Sequence, residues 1–383
     1  MRIVQLTTDA REHYGDYGNS KPYFGAAPEA LLQGFASLPE AEVHVVACTR
    51  REMKSPQKLA DNIWFHSLLV PKLGWMRTFY QGCIRAVRRK LNAIQPDIVH
   101  GQGTDRDCAM NAVLSGFPNL LTLHGNMTEL ARVLQARVGS YYWLAAVLEN
   151  FALRRTQGVF CNSKHTELSV KPRTRRVWRV PNAVRNEVFV RPLENPVAPR
   201  HVILVVGVVS VYKRQWEILK LAQRLHQDGL RVAFRFIGQA GSTDAYAREF
   251  LERIRQAETE GYAAYIGFKD LDGLIEEYDR SAALVHAPAA ESFGLVVAEA
   301  LGRNLKFFGT SVGGVPDIAG GVEGAELFAD GDWDGLRAAI TRWIRSGCPR
   351  PQSAAQVMRD RYHPELIARR HCEIYREVLS TRS

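Results

Sequence analysis

The sequence predicts an α/β protein built from two open parallel sheets, each covered by helices. Three observations lead there. A chain of 383 residues with 46% hydrophobic content can bury a sizeable core and, at roughly 150 residues per domain, has room for two domains. Short β-rich apolar runs alternate with helical patterns along most of its length. That alternation is interrupted by a proline-rich stretch.

In chain order, the first half gives the strands RIVQLT (2–7), EVHVVAC (42–48), PDIVHG (96–101), NLLTLHG (119–125) and GVFCNS (158–163). Helical patterns such as PEALLQGFASL (28–38) and FYQGCIRAVRRKLNAI (79–94) lie between them. The stretch RPLENPVAPR (191–200), with three prolines, reads as a linker, giving a first domain over 1–190 and a second over 201–364. The second repeats the alternation with HVILVVGVV (201–209), VAFRFIG (232–238), AALVHAP (282–288) and LKFFGT (305–310), and with helical patterns WEILKLAQRL and LVVAEAL. The closing PELIARRHCEIYREVL, apolar at 366, 367, 374, 375, 378 and 379, reads as an amphipathic helix. Two such sheets joined by a hinge place a ligand in the cleft between them, where loops from the carboxyl ends of the strands converge.

Charge and composition narrow the class. The net charge of +10 lies wholly in residues 1–190, which hold 25 Lys and Arg against 15 Asp and Glu; the remainder is balanced at 25 against 25. One basic half suggests an anionic partner for that half, and an incidentally basic surface explains it equally well. No nucleic-acid recognition motif accompanies the charge, so no nucleic-acid partner is expected. Six cysteines are scattered with no CxxC pair, which signals neither a disulfide framework nor a zinc site. No segment approaches the ~20 apolar residues of a membrane span, and MRIVQLTTDA lacks the apolar block of a signal peptide, so a cytoplasmic location is the expectation. The segment 64–91 combines Trp, Leu, Met, Phe and Tyr with Arg85, Arg88, Arg89 and Lys90. It reads either as a patch that meets the inner membrane face and lipid-linked molecules, or as core aromatics beside a solvated helix face.

The run AAESFGLVVAEAL (289–301) sets Glu291 and Glu299 eight positions apart in an otherwise apolar segment. A helix starting near Ser292 or Phe293 puts Glu291 at its entrance, where free N–H groups and the dipole favour an anion or another acceptor. On an unbroken helix Glu299 lies about 12 Å further along and about 80° round. That separation spans a nucleotide sugar, with the amides of Phe293, Gly294 and Leu295 facing its oxygens. Spacing alone equally accommodates a helix cap and a salt bridge.

The surrounding HAPAAESFGLVVAEALGRNLKFFGTSVGGVPDI resembles the signature of the large family-four type of retaining glycosyltransferases, which have the GT-B fold of two Rossmann-like domains facing each other across a cleft. Weaker likeness runs through PDIVH, TLHG, CNS, VPNAV, VGVVSVYKRQ, IGFKD and IYREVL. The resemblance implies transfer of a sugar from a UDP-, GDP- or ADP-sugar, with retention at the anomeric carbon, to a glycan, lipid-linked or small-molecule acceptor. It implies that Glu299 takes the ribose hydroxyls, Glu291 the sugar hydroxyls, and Lys213 in SVYKRQ the diphosphate. Relatives carry an arginine directly after the glycine of that strand, whereas Gly207 is followed here by Val208, with Arg214 as a substitute cation. A nucleotide-sugar-binding protein with weak or no turnover is the alternative.

In the first domain the resemblance assigns His124 of TLHG to the donor sugar and Gly25, ahead of a helix, to the approach of a phosphate. Phe268 of IGFKD corresponds to the segment against the base, and is as readily a core residue. The closing helix, 365–383, is expected to cross back onto the first domain. No cofactor or metal is expected: TDRD and DGDWD fall outside the context of a DxD motif. A double-displacement route would want two carboxylates about 5 Å apart across the sugar, closer than the helix geometry allows.

Overall fold

Strands with helices on both faces must be apolar on both, and RIVQL, IVHGQ, NLLTL and VILVV are buried along nearly all their lengths. The computed structural model describes residues 1–191, 201–241 and 244–381; the linker expected at 191–200 lies, from residue 192 on, outside the described residues. Two units form: Met1–Asn186 with Tyr362–Ser383, and Glu187–Arg361.

The first unit holds an eight-stranded sheet of β1 (Arg2–Leu6), β2 (Glu42–Thr49), β3 (Lys58–Ala60), β4 (Ile63–Leu69), β5 (Ile98–Gln102), β6 (Asn119–Leu123), β7 (Val159–Cys161) and β8 (Val177–Arg179). Their order is β3-β4-β2-β1-β5-β6-β7-β8, parallel except for the β3–β4 pair. The second unit holds six parallel strands: β9 (Val202–Val206), β10 (Ala233–Ile237), β11 (Ala263–Gly267), β12 (Ala283–His286), β13 (Lys306–Thr310) and β14 (Ala325–Phe328), in the order β11-β10-β9-β12-β13-β14. The α/β class with two parallel sheets is therefore the observed architecture. Strands β3, β4, β8, β11 and β14 have no counterpart in the sequence-based reading. Four of them, β3, β8, β11 and β14, are edge strands of three to five residues, too short for a periodic signal.

Strand β4 occupies the start of the aromatic and basic segment. The helix expected at 79–94 runs from Gln81 to Ile94, burying Cys83, Ile84, Val87, Leu91 and Ile94 while Arg85, Arg88 and Arg89 face outward. Before it, two 3-10 turns bury Trp75 and leave Leu73 (80%) and Phe79 (53%) exposed. All six cysteines are free and buried.

The last helix, Pro364–Ser380, packs in the first unit against the helix Ala26–Ala36. Its inner face is Ile367, Ala368, His371, Cys372, Ile374, Tyr375 and Val378, each fully buried aliphatic contributing about 1.5–3 kcal/mol. Leu366, read from the sequence as part of that face, is 48% exposed.

This interface contains two buried imidazoles. His371 stacks on Phe160 with ring centroids 4.4 Å apart, and burial pushes it down to about 4. Burial likewise drives His100 well below its ordinary value. Unfolded imidazoles take up protons near 6.5 while these do not, so their contribution to stability is complete above that value and fades as pH falls toward 4. The melting temperature should fall as pH is lowered from about 6.5, and His371→Phe should make that fall shallower. Identical pH dependence of the two proteins in calorimetry would contradict this reading.

Candidate functional site

Strand order locates the site in the second unit. There β9 lies between β10 and β12, so chain direction across the sheet reverses beside β9, the switch point at whose carboxyl-end loops open parallel sheets take their ligands. The β9 loop carries Lys213 at the end of a 3-10 turn, and the β12 loop carries Glu291. The Ala289 N–H donates to the Tyr212 carbonyl at 2.7 Å, tying one loop to the other.

Two donors converge on one carboxylate oxygen. Lys213 Nζ donates to Glu291 Oε2 at 2.7 Å, and Nε2 of His286, the last residue of β12, lies 2.8 Å from the same atom. The three side chains are 18%, 13% and 5% exposed for Lys213, Glu291 and His286. The Glu291 main chain is held as well: its carbonyl accepts the Gly314 N–H at 3.1 Å. A Cβ on Gly313 would lie 1.6 Å from that carbonyl oxygen, and Gly313 has φ +58°, so the GG pair of SVGGVPD is required sterically.

Burial opposes the charge on Glu291, but the Lys213 ammonium and the His286 hydrogen bond outweigh it and hold the carboxyl well below the usual carboxylate range. Burial also opposes the charge on Lys213, and Glu291 outweighs it, so the ammonium is raised above its ordinary value. Burial lowers His286, with Glu291 opposing and Lys213 adding to the effect. At neutral pH the group is one cation, one anion and one neutral imidazole.

The helix after this loop differs from expectation. It runs from Leu295 to Gly302, with Gly294 as its N-cap at φ 102°, a left-handed conformation that keeps Ser292 and Phe293 out of it. Helical rise therefore applies only over the four steps from Leu295 to Glu299, about 6 Å, and the separation inferred for an unbroken helix does not hold. Phe293 is 3% exposed, so its ring belongs to the core. Glu299 is 2% exposed and accepts from Tyr278 Oη at 3.2 Å. Thus the two glutamates stand on different elements, one on a loop and one inside a helix.

Arg214 caps the helix Gln215–Gln227 in a left-handed conformation, φ 57°, and its guanidinium binds the Asp330 carboxylate in the loop after β14. Val208 is 51% exposed and Phe268 is 55% exposed, which removes the core alternative for Phe268.

In the first unit, Gly25 caps the helix Ala26–Ala36 with φ 86°, and a Cβ there would meet nothing within 4 Å. His124 follows β6; its Nε2 lies 2.8 Å from Gln102 Oε1, and burial pushes it down to about 4, with Asn182 opposing. Gln102 Nε2 donates to Gln5 Oε1 at 2.7 Å, Gln5 Nε2 donates to Tyr375 Oη at 3.0 Å, and Tyr375 Oη reaches His100. The fold also gathers Cys48, Cys83 and Asp107, with ligand-capable atoms within 4.8 Å of one another, a grouping that sequence spacing did not signal. Hydrogen bonding to Cys83 and burial raise the Cys48 thiol well above its ordinary value, so it is protonated.

Sequence reasoning missed His286, Gln102 and Tyr375. For His286 and Gln102 the available signal was a polar residue inside a largely apolar strand, as in ALVH and IVHGQ; Tyr375, on the apolar face of the last helix, gave none.

Residues 191–360 match the family described as glycosyl transferases group 1, and residues 30–188 match glycosyltransferase family 4. A comparison with curated proteins found no match. Among solved structures, the chain is similar to sucrose-phosphate synthase from Thermosynechococcus elongatus, with TM-score 0.78 and 15% identity over 100% of both chains. It is similar to HepE of Anabaena in complex with UDP and glucose, with TM-score 0.70 and 15% identity over 98% of this chain and 99% of that one. The lipopolysaccharide outer core galactosyltransferase WaaB in its apo form gives 0.67 and 14% over 100% of both. At these identities the likeness is one of fold.

The site's electrostatics are testable without a substrate. Glu291→Gln leaves the Lys213 ammonium buried without a counter-charge and should cost on the order of 3 kcal/mol. Adding Lys213→Met should recover most of that loss. If calorimetry shows the two single losses simply adding, the coupling is absent.

Proposed function

The chain belongs to the two-domain glycosyltransferases of the group 1 and family 4 type, and from that premise we propose that it moves a hexosyl group from a nucleoside-diphosphate sugar, with retention and without a metal ion. The observation that carries this is the pair of loops at the switch point, which bring a part-buried ammonium and a part-buried carboxylate within 2.7 Å. In the proposed complex the Lys213 ammonium takes the diphosphate and stabilises the negative charge that builds on it as the sugar departs. Glu291, an acceptor-only group, takes sugar hydroxyls. Glu299, steadied by Tyr278, takes the ribose hydroxyls. The amides of Gly294 and Leu295, at a helix start, suit the donor's oxygens.

Side-chain nucleophilic attack by Glu291 is disfavoured, because its charge is already balanced by Lys213 and one of its oxygens is further held by a hydrogen bond from His286. Retention is better served by a leaving phosphate oxygen that takes the acceptor's proton on the same face of the sugar. The protein then contributes position and field. In the first unit we assign His124 to hydrogen bonding of substrate hydroxyls, and the open backbone at Gly25 to close approach of a phosphate.

Among the described residues no helix is long and apolar enough to cross a membrane. The acceptor side is proposed to work at the cytoplasmic face of a membrane on a lipid-linked or glycan acceptor. Exposed Leu73 and Phe79 stand beside exposed Lys72 and Arg77 on the 3-10 turns, and the next helix turns Arg85, Arg88 and Arg89 outward, a combination that suits anionic headgroups.

A panel of UDP-, GDP- and ADP-sugars separates transfer from mere binding. One nucleotide class should raise the melting temperature and be split to its nucleoside diphosphate equally well with and without EDTA, and Glu291→Ala should lower turnover roughly 100-fold. Stabilisation without turnover would leave a binding protein, and loss of turnover in EDTA that Mg or Mn restores would refute metal independence. For the membrane contact, flotation with vesicles containing anionic lipid should recover the protein, and Leu73→Ser with Phe79→Ser should abolish recovery. Equal recovery with uncharged vesicles would contradict the charge argument.

A further inference from the structure

His286 has no role in the reading above, yet it sits where only a positioned donor is useful. It is the last residue of β12 and is 4% exposed, and its Nε2 lies 2.8 Å from Glu291 Oε2, the oxygen that also accepts from Lys213. A carboxylate oxygen has two lone pairs, and here two donors converge on one of the two oxygens. Oε1 of Glu291 is then the oxygen left for a substrate. The arrangement cannot persist unchanged if Lys213 serves a diphosphate, because a compact ammonium drawn to phosphate loosens its hold on the carboxylate. After that transfer the imidazole is the remaining side-chain donor on Oε2.

We propose that His286 is a positioning residue: it keeps Glu291 aimed at the hydroxyls of the donor sugar while Lys213 is engaged by the diphosphate. The inference rests on the assignment of Glu291 to the sugar and Lys213 to the diphosphate. A neutral imidazole suits the task better than a second cation would. It donates one hydrogen bond along a fixed direction from a rigid strand end, and being uncharged it is not drawn from Glu291 to the diphosphate as a second ammonium would be. His286 stays neutral because burial and the Lys213 charge both work against its protonation.

The role divides the donor into two parts that one variant should affect differently. Glu291 is assigned to the sugar and not to the nucleotide, so loss of its support should weaken UDP-glucose and spare UDP. If the donor panel selects GDP or ADP, GDP-mannose with GDP or ADP-glucose with ADP replaces that pair. His286→Leu removes the donor at similar bulk, and His286→Gln restores an N–H near the position of Nε2. Calorimetric titration should show His286→Leu binding UDP-glucose about tenfold more weakly and UDP within about twofold of the parent, with kcat lowered, while His286→Gln returns most of the sugar-dependent affinity. Equal weakening of UDP-glucose and UDP, or no change in either, overturns the proposal, as does failure of Gln to rescue a folded Leu variant. If the parent protein binds neither nucleotide nor nucleotide sugar, the failure belongs instead to the glycosyltransfer reading of this site.

Discussion

A single carboxylate, shared by a lysine and a histidine, organises the second unit's site. A buried ion pair is a poor source of stability, because desolvating both charges offsets most of their attraction. Its value here is geometric. Lys213 leaves β9, while Glu291 and His286 come from β12 and its loop, so the pair closes the switch point from both sides. The Ala289 to Tyr212 backbone bond and the glycine contact under Glu291 do the same with main-chain atoms. Side chains and backbone thus fix the same pair of loops independently.

The length of the following helix then becomes a consequence. Gly294 in a left-handed conformation stops Leu295–Gly302 from extending backward, which leaves Glu291 on a loop that can be shaped by its neighbours. An unbroken helix would have fixed its direction by helical geometry alone. Glu299 has the opposite character. Buried within the helix beside Tyr278, it is placed by regular structure, and its carboxylate is pinned by a phenol from an adjacent helix. The edge thus carries one acceptor shaped by loops and another held by the core.

The difference between what the sequence conveyed and what it hid follows the same division. Central strands announce themselves because burial on both faces demands continuous apolar runs such as VILVV and NLLTL. Short edge strands such as β8 and β11 carry too few residues for any pattern to rise above composition. At the site, Glu291, Glu299 and Lys213 were legible through residue type and order within a motif. Their mutual geometry was not, because one φ angle at Gly294 decides where the helix begins. His286 was hidden because a polar residue in a buried strand looks the same whether it satisfies a backbone group or supports a functional one. Arg214, attractive as a neighbour of Lys213, is bound to Asp330, a residue more than one hundred positions away in the chain that no local pattern could connect to it.

The first unit applies the same physics to a longer chain of groups. His124, Gln102, Gln5, Tyr375 and His100 link β6, β5, β1 and the final helix through successive hydrogen bonds. In a buried setting each member must be satisfied by the next, since an orphaned polar group costs more than its hydrogen bond contributes. The final helix therefore supplies more than apolar cover for the helix Ala26–Ala36. Its Tyr375 phenol completes a polar path that begins at His124, so the orientation of a candidate substrate-binding imidazole depends on a residue near the end of the chain, 251 positions later. An apolar residue at 375 of equal volume would preserve the packing and still leave Gln5 and His100 without their shared partner, which separates the helix's structural contribution from its polar one.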